Sequence, residues 1–269
     1  MRLTGPGVWG PPKDPDGAIA LLREAVTSGV NHIDTADFYG PHVSNELIRK
    51  ALQPYPSDLV IVTKAGARRP PDGSIVPAVA RHELIEAVHD NLRTLGVEAL
   101  DIVNYRVMAA PDEPPIAEQI GILAELQRKG LIRYLGVSNV TPAQVAQAQA
   151  VANISCVQNR YNVAERDDDR LIDDLARKGI AYVPFWPLGG TAPLRLAALA
   201  TIALRIRATP LQVAQAWLLQ RSPNMLLIPG TSSVTHLREN LASGSLTLSV
   251  EDVVALDAIA PPARQGPVQ

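Results

Sequence analysis

The sequence predicts an α/β fold built as a (β/α)8 barrel, and three observations carry that prediction. Seven short β-branched runs alternate with longer segments of helical period, the pattern of βα units around a parallel sheet. The runs are apolar almost throughout, so the strands need cover on both faces, which a closed barrel or an open doubly wound sheet would supply. The length of 269 residues favours the barrel, whose typical size is about 250 residues. With 46% hydrophobic and 19% charged positions and no dividing linker, a single barrel domain over residues 1–269 is expected.

Taken in order, the strands fall at 31–35, 59–64, 100–105, 132–137, 154–158, 180–185 and 226–228. Helices are read at 16–28, 44–52, 81–95, 116–129, 142–152, 167–178, 194–208, 210–220 and 234–242. Asp14 and Asp16 are placed to cap the first of these, and Pro15 suits its first turn. Leu84, Val88, Leu92 and Leu95 recur at helical spacing and give the helix over 81–95 one core-facing stripe. Residues 65–80, rich in Pro and Gly, follow a strand and read as a long βα loop. An eighth strand has a place only before Gly5, so the barrel's first strand is either missing or reduced to a stub at Met1 to Thr4.

Charge and composition exclude several partners. Twenty-five Lys and Arg stand against 27 Asp and Glu, with no basic stripe to neutralise a run of phosphates, so nucleic acid is not expected. No apolar run approaches the ~20 residues that span a bilayer, and the first residues lack the apolar region of a signal peptide, so no membrane association is expected. Cys156 is the only cysteine, which rules out an intrachain disulfide and points to the cytoplasm. A monomer is favoured over self-association.

Gly5-Pro6-Gly7-Val8-Trp9-Gly10 has the spacing of the dinucleotide fingerprint. That fingerprint works where a strand feeds a tight turn into a helix N-terminus. Here almost nothing precedes Gly5 and Pro11-Pro12 follows, so the Rossmann reading is set aside. The informative stretch is Asn31-His32-Ile33-Asp34-Thr35-Ala36-Asp37-Phe38-Tyr39-Gly40. Asp34 ends an apolar strand, Tyr39 follows at the loop mouth, and Lys64 closes the next strand, so all three reach the C-terminal face where barrel enzymes do chemistry. Alone, a strand-end Asp reads as a cap and Lys64 as a solvated end. Together they form a proton-donor site, in which the ammonium favours phenolate and the carboxylate keeps the ammonium charged and oriented.

At these residues the chain resembles the aldo-keto reductases over nearly its whole length. The resemblance rests on the segment from His32 to Gly40, on Val62-Thr63-Lys64, on Gly136-Val137-Ser138-Asn139, on Gln158, and on Ile228-Pro229-Gly230-Thr231-Ser232 followed by Leu237-Arg238-Glu239-Asn240. Gly40-Pro41-His42-Val43, Arg106 and Arg221-Ser222-Pro223-Asn224 resemble a bacterial branch that acts on pyridoxal. The resemblance implies NADPH-dependent reduction of an aldehyde or ketone by hydride transfer, without a metal, acting on a small-molecule carbonyl substrate. It implies Tyr39 as general acid, tuned by Lys64 and Asp34, with Ser138, Asn139 and Gln158 on the nicotinamide carboxamide and Phe185 stacked beneath the ring. It further implies Gly230, Thr231 and Ser232 near the adenosine phosphates, and Arg238 and Asn240 at the 2′-phosphate and adenine.

Three departures stand out. Arg106 occupies the place where most of the family has a histidine, and its fixed positive charge can stabilise an oxyanion or favour a substrate bearing phosphate or phenolate. Gly230 stands where the family's usual lysine would be, and the family's N-terminal hairpin and first strand are missing or truncated. Arg106 and the short start motivate an alternative, a regulatory barrel that binds nucleotide with little turnover.

Aromatic placement supports a pocket independently. Of the 11 aromatic residues, Trp9, Phe38, Tyr39, Tyr105, Phe185 and Trp186 fall at predicted strand ends or the loops after them, as an apolar mouth for a small molecule requires. The plainer reading is that Tyr105 and Trp186 plug the rim. His32, Asp34, Asp37 and His42 raise a third reading, a metal-dependent hydrolase. The strand offers His-x-Asp rather than His-x-His and no later strand ends in His, so no metal is expected. His89 reads as a surface residue and His236 as either a cap or an adenosine contact.

Overall fold

The computed structural model of the protein describes residues 3–108, 114–189 and 197–260. They fall into two compact units, Met1–Gln158 with Gly230–Leu237, and Asn159–Pro229 with Arg238–Gln269.

In the first unit a 3-10 turn, Pro6–Val8, precedes α1 (Pro15–Thr27), β1 (His32–Asp34), α2 (Val43–Leu52) and β2 (Val60–Ala65). A short pair, β3 (Ala67–Arg68) and β4 (Val76–Pro77), then leads to α3 (Arg81–Leu95) and β5 (Leu100–Arg106). The unit continues with α4 (Ala117–Arg128), β6 (Ile132–Ser138), α5 (Pro142–Val151) and β7 (Ile154–Gln158). Asp14 caps α1 as expected, accepting from the Gly17 N–H at 2.8 Å, with Pro15 in the first turn. The stripe Leu84, Val88, Leu92 and Leu95 is buried, each side chain contributing about 1.5–3 kcal/mol. Gly96 ends α3 at φ 68°, a left-handed conformation that suits glycine, and a Cβ there would meet the Arg49 side chain at 2.6 Å.

The strands of this unit pair in parallel in the order β1-β2-β5-β6-β7. Asp34 lies opposite Val62, Lys64 opposite Asn104, and Arg106 opposite Ser138, which in turn faces Gln158. On a flat sheet β1 and β7 would stand about 19 Å apart, four intervals of ~4.8 Å. Yet Gln158 Nε2 donates to Asp34 Oδ2 at 2.8 Å. The sheet of this unit is therefore curled, and its two edges converge at the C-terminal strand ends.

The loop over 65–80 carries the antiparallel pair β3 and β4, which its Pro and Gly content concealed. Among the described residues no strand precedes β1, and Met1 and Arg2 of the expected stub lie outside them. The Gly-rich segment opens no α-helix, only the 3-10 turn; it is joined to the loop after β1 by Gly10 N–H to Gly40 O at 3.0 Å and Gly40 N–H to Val8 O at 3.2 Å.

The second unit holds α6 (Asp169–Arg177), β8 (Ala181–Tyr182), α7 (Ala197–Ile206), α8 (Pro210–Arg221), the later part of α9 (Val234–Ala242) and α10 (Val250–Asp257). The strand expected over 180–185 shrinks to two residues, because Pro184 has no N–H for a ladder. The strand expected at 226–228 does not form. Only a bridge between Tyr182 and Met225 remains, held by Tyr182 N–H to Asn224 O at 2.9 Å and Leu226 N–H to Tyr182 O at 3.0 Å, since so short a partner offers no longer ladder. Residues 194–196 of the expected helix lie outside the described residues. Helix α10 is an addition that periodicity did not reveal, because Val250 and Val254 are exposed and Leu256 alone of its apolar residues is buried. Tyr161 stacks on Trp217 with ring centroids 5.8 Å apart, and Trp217 Nε1 donates to Asp257 Oδ1 at 3.0 Å. Among the described residues no helix is long and apolar enough to cross a membrane.

Candidate active site

The converging strand ends of the first unit bring five of the residues singled out in the sequence into one connected set. Lys64, near the end of β2, donates from Nζ to Asp34 Oδ1 at 2.6 Å and to the Thr35 carbonyl at 2.9 Å. Gln158, closing β7, holds the other carboxylate oxygen of Asp34. Ser138, closing β6, lies 3.5 Å from Gln158 Oε1 and accepts from Arg106 Nη1 at 3.1 Å. Tyr39 stands over this set: Lys64 Nζ is 5.2 Å from its ring centroid, and Phe38 meets the ring edge-on at 5.1 Å. Each strand contributes at its C-terminal end because alternate residues point inward, so Asp34, Lys64, Arg106, Ser138 and Gln158 share a face while their neighbours turn to the helices.

Electrostatics follow from burial and pairing. Asp34 and Lys64 are both buried. Burial opposes the charge of the Asp34 carboxyl, but the Lys64 ammonium and hydrogen bonds from Lys64 and Gln158 hold it below the usual carboxylate range. Burial likewise opposes the Lys64 ammonium, and Asp34 with Tyr39 raises it above the ordinary lysine value. Burial lowers Arg106, against support from Tyr39 and Asp34. Burial pushes the Cys156 thiol up to about 12, which leaves it neutral, with Sγ 3.2 Å from Asn104 Oδ1. A Cβ at Gly136 would strike both of these groups, so only glycine fits between them.

Asp37 behaves differently from Asp34. Burial, reinforced by Asp90, pushes its carboxyl up to about 7, and Oδ1 has no hydrogen-bond partner. Its protonated form is the one the fold favours, so its contribution to stability is complete below about pH 4 and is lost as pH rises through 7. Asp37→Asn is expected to flatten that loss and to melt above the parent at pH 8, by an amount on the order of 4 kcal/mol at most. Melting curves at pH 5 and pH 8 check this; an identical pH dependence in both proteins would show that Asp37 is not the group responsible.

The remaining candidates are distributed as follows. Asn139 ends the β6 strand loop at φ 59° and donates from Nδ2 to Val107 O at 2.8 Å. Thr231 Oγ1 accepts from Ser233 N–H at 3.0 Å, and Gly230 and Ser232 are exposed, just before α9. The eight residues Gly230–Leu237 group with the first unit, the one that holds Ser138 and Asn139. Phe38 and Tyr105 are buried, while Trp9 is 38% exposed and lies under the Arg69 guanidinium. In the second unit Phe185 meets Trp186 edge-on at 5.8 Å, Trp186 is 45% exposed, Arg238 is exposed, and Asn240 Oδ1 accepts from Gln215 Nε2 at 2.6 Å. Among the described residues no group of three or more His, Cys, Asp or Glu is arranged to hold a metal.

Sequence reading missed a buried polar cluster behind the strands, made of Thr35, Ser44, Asn45, Thr63, Asn91 and Thr94. One signal was available: Asn91 interrupts the face of α3 formed by Leu84, Val88, Leu92 and Leu95.

A family model described as the Aldo/keto reductase family matches residues 3–261. The chain is 59% identical over 263 residues to a protein named pyridoxine 4-dehydrogenase from Escherichia coli strain K12, covering 96% of this chain and 92% of that one. Among solved structures it is similar to a thermostable aldo-keto reductase in complex with the inhibitor epalrestat, with a TM-score of 0.80, 32% identity, and coverage of 97% and 96% of the two chains. An aldo/keto reductase from Klebsiella pneumoniae in complex with NADP and acetate shares the fold at a TM-score of 0.82 and 23% identity, over 98% of this chain and 92% of that one.

Proposed function

Since the chain belongs to the aldo/keto reductase family and has its (β/α)8 barrel fold class, we propose that it reduces an aldehyde or ketone to the alcohol with NADPH, Tyr39 giving the proton. The observation that carries this reading is Tyr39 poised over the buried Lys64–Asp34 pair at the converging strand ends.

The residues present fit a nicotinamide dinucleotide. Hydroxyl and amide side chains close β6 and β7 on the site face, and the turn Gly230-Thr231-Ser232-Ser233 lies at the N-terminal start of α9, a setting that suits phosphate. Ser138, Asn139 and Gln158 would hold the carboxamide, Phe185 would lie against the ring, Gly230, Thr231 and Ser232 would meet the phosphates, and Arg238 with Asn240 the 2′-phosphate and adenine. The cofactor, when bound, supplies the hydride.

The chain's own residues then manage one proton. Tyr39 Oη donates to the carbonyl oxygen as negative charge develops there, and the resulting phenolate is stabilised by the adjacent Lys64 ammonium, which Asp34 and the Thr35 carbonyl fix in place. Arg106, tied to Ser138, adds a second cation beside Tyr39. A guanidinium there favours a carbonyl flanked by an acidic oxygen, such as a phenolate. Together with the likeness to a protein named pyridoxine 4-dehydrogenase, this makes pyridoxal the first substrate to test. Trp9, Phe38, Tyr105 and Trp186 would supply the apolar surroundings.

The test is a titration with NADPH followed by Trp fluorescence, then addition of pyridoxal and an aldehyde panel while nicotinamide absorbance is recorded. Binding with oxidation is expected. Binding without oxidation of any substrate would favour a regulatory nucleotide-binding role, and no binding by folded protein would overturn the reading. Arg238→Ala is expected to weaken NADPH roughly 10- to 100-fold while NADH changes little, since only NADPH carries the 2′-phosphate. Equal losses for both would remove Arg238 from that role.

A further inference from the structure

Behind the catalytic strands, where neighbours of the inward-facing residues turn toward the helices, the fold places polar side chains instead of apolar ones. Thr35, Asn45, Thr63 and Asn91 are at most 1% exposed. Asn91 Oδ1 accepts from the Thr63 hydroxyl at 2.5 Å and from Asn45 Nδ2 at 2.9 Å. Asn45 Oδ1 in turn accepts from the Thr35 hydroxyl at 2.9 Å. The Thr35 carbonyl takes the Lys64 ammonium at 2.9 Å, and Thr63 is the residue before Lys64, so the connections close into a ring. Asn91 Nδ2 donates to Ala87 O at 2.8 Å, which anchors the ring to α3.

We propose that Asn91 is a positioning residue for the reaction, fixing Asp34 and Lys64 relative to one another by holding Thr63, the neighbour of Lys64, directly and Thr35, the neighbour of Asp34, through Asn45. The inference rests on the reading of Tyr39 as proton donor. A leucine at 91 would extend the buried stripe of α3, and packing alone has no need of an amide there. What an amide adds is direction. Its Oδ1 ties β2 through Thr63 to the end of β1 through Asn45 and Thr35, while its Nδ2 holds the amide to α3. Catalytic geometry is sensitive at this scale, since a displacement of about 1 Å can cost roughly 100-fold in rate.

The experiment compares Asn91→Leu, Thr63→Val and Thr63→Ser with the parent, using pyridoxal and NADPH. Circular dichroism establishes folding, Trp fluorescence measures NADPH affinity, and kcat, KM and the pH profile of kcat are recorded well below each melting temperature. For Asn91→Leu and Thr63→Val we expect kcat to fall about 10-fold or more, KM and NADPH affinity to hold within about threefold, and the pH profile to shift, with Thr63→Ser restoring the parent. A folded Asn91→Leu or Thr63→Val protein with parental kcat and pH profile overturns the proposal, because a purely structural role would lower only the melting temperature. If Asn91→Leu does not fold, the Thr63→Val and Thr63→Ser comparison decides alone. A parent that oxidises no NADPH with any carbonyl would refute the proposed function instead. The proposal is then judged by the Lys64 side-chain titration, followed by NMR through its Cε shift: a midpoint moved toward the ordinary lysine value in Thr63→Val supports it, and an unmoved one overturns it.

Discussion

Replacing Tyr39 by phenylalanine should lower kcat by roughly 100- to 10,000-fold, the usual contribution of a positioned general acid, while NADPH affinity stays within about threefold. The substitution deletes one hydroxyl and keeps the ring, so the edge-on packing against Phe38 at 5.1 Å and the Lys64–Asp34 pair are retained. A loss confined to the chemical step is therefore the signature, and single-turnover oxidation of prebound NADPH with saturating aldehyde measures it. Turnover close to the parent's would show that another group, with water as the candidate, delivers the proton.

Lys64→Met should cost about 3–5 kcal/mol of stability, because it strands the buried Asp34 carboxylate without its counter-ion. In a chain of this size that is a drop in melting temperature on the order of 10 °C. The pH dependence reverses as well. In the parent, Asp34 is held below the usual carboxylate range, so its contribution is present above about pH 4 and lost only as pH falls through the lowered value. Without Lys64 burial dominates, the neutral acid is favoured, and stability falls as pH rises. Adding Asp34→Asn to Lys64→Met should recover much of the loss at pH 7. Calorimetric melting of both variants at pH 4 and pH 7 tests this, and a double variant no more stable than the single one would mean that the charge of Asp34 is not the origin of the defect.

The sequence was legible where local pattern and tertiary role agree. The α3 helix and β7 occupy the residues their periodicity indicated, because each carries a run of buried apolar residues of its own. That Asp34, Tyr39 and Lys64 lie close together was legible because each sits at a strand end or just beyond, a position that spacing alone can locate. Three features were not legible, each for a physical reason. Pro184 cut the expected strand at 180–185 by removing a donor, and the strand at 226–228 vanished with its partner. Helix α10 buries too little to leave a stripe. Asn91 is a polar residue on an apolar face, and its partners Asn45 and Thr63, with Thr35 bonded in turn to Asn45, come from three other segments that only the folded chain brings together.

The hydrogen bond between Asp34 and Gln158 joins residues 124 positions apart. Contacts of such sequence separation are costly to close and form slowly, so the buried Asp34 carboxylate acquires this partner only after the intervening strands and helices have been laid down. A ribosome that has not yet released residue 158 holds a nascent chain with Asp34, Tyr39 and Lys64 all synthesised but no finished site. Completion of the proposed site is thus a late event of biosynthesis, and a fragment ending before Gln158 would carry Asp34, Tyr39 and Lys64 without the bond that draws the two edges of the sheet together.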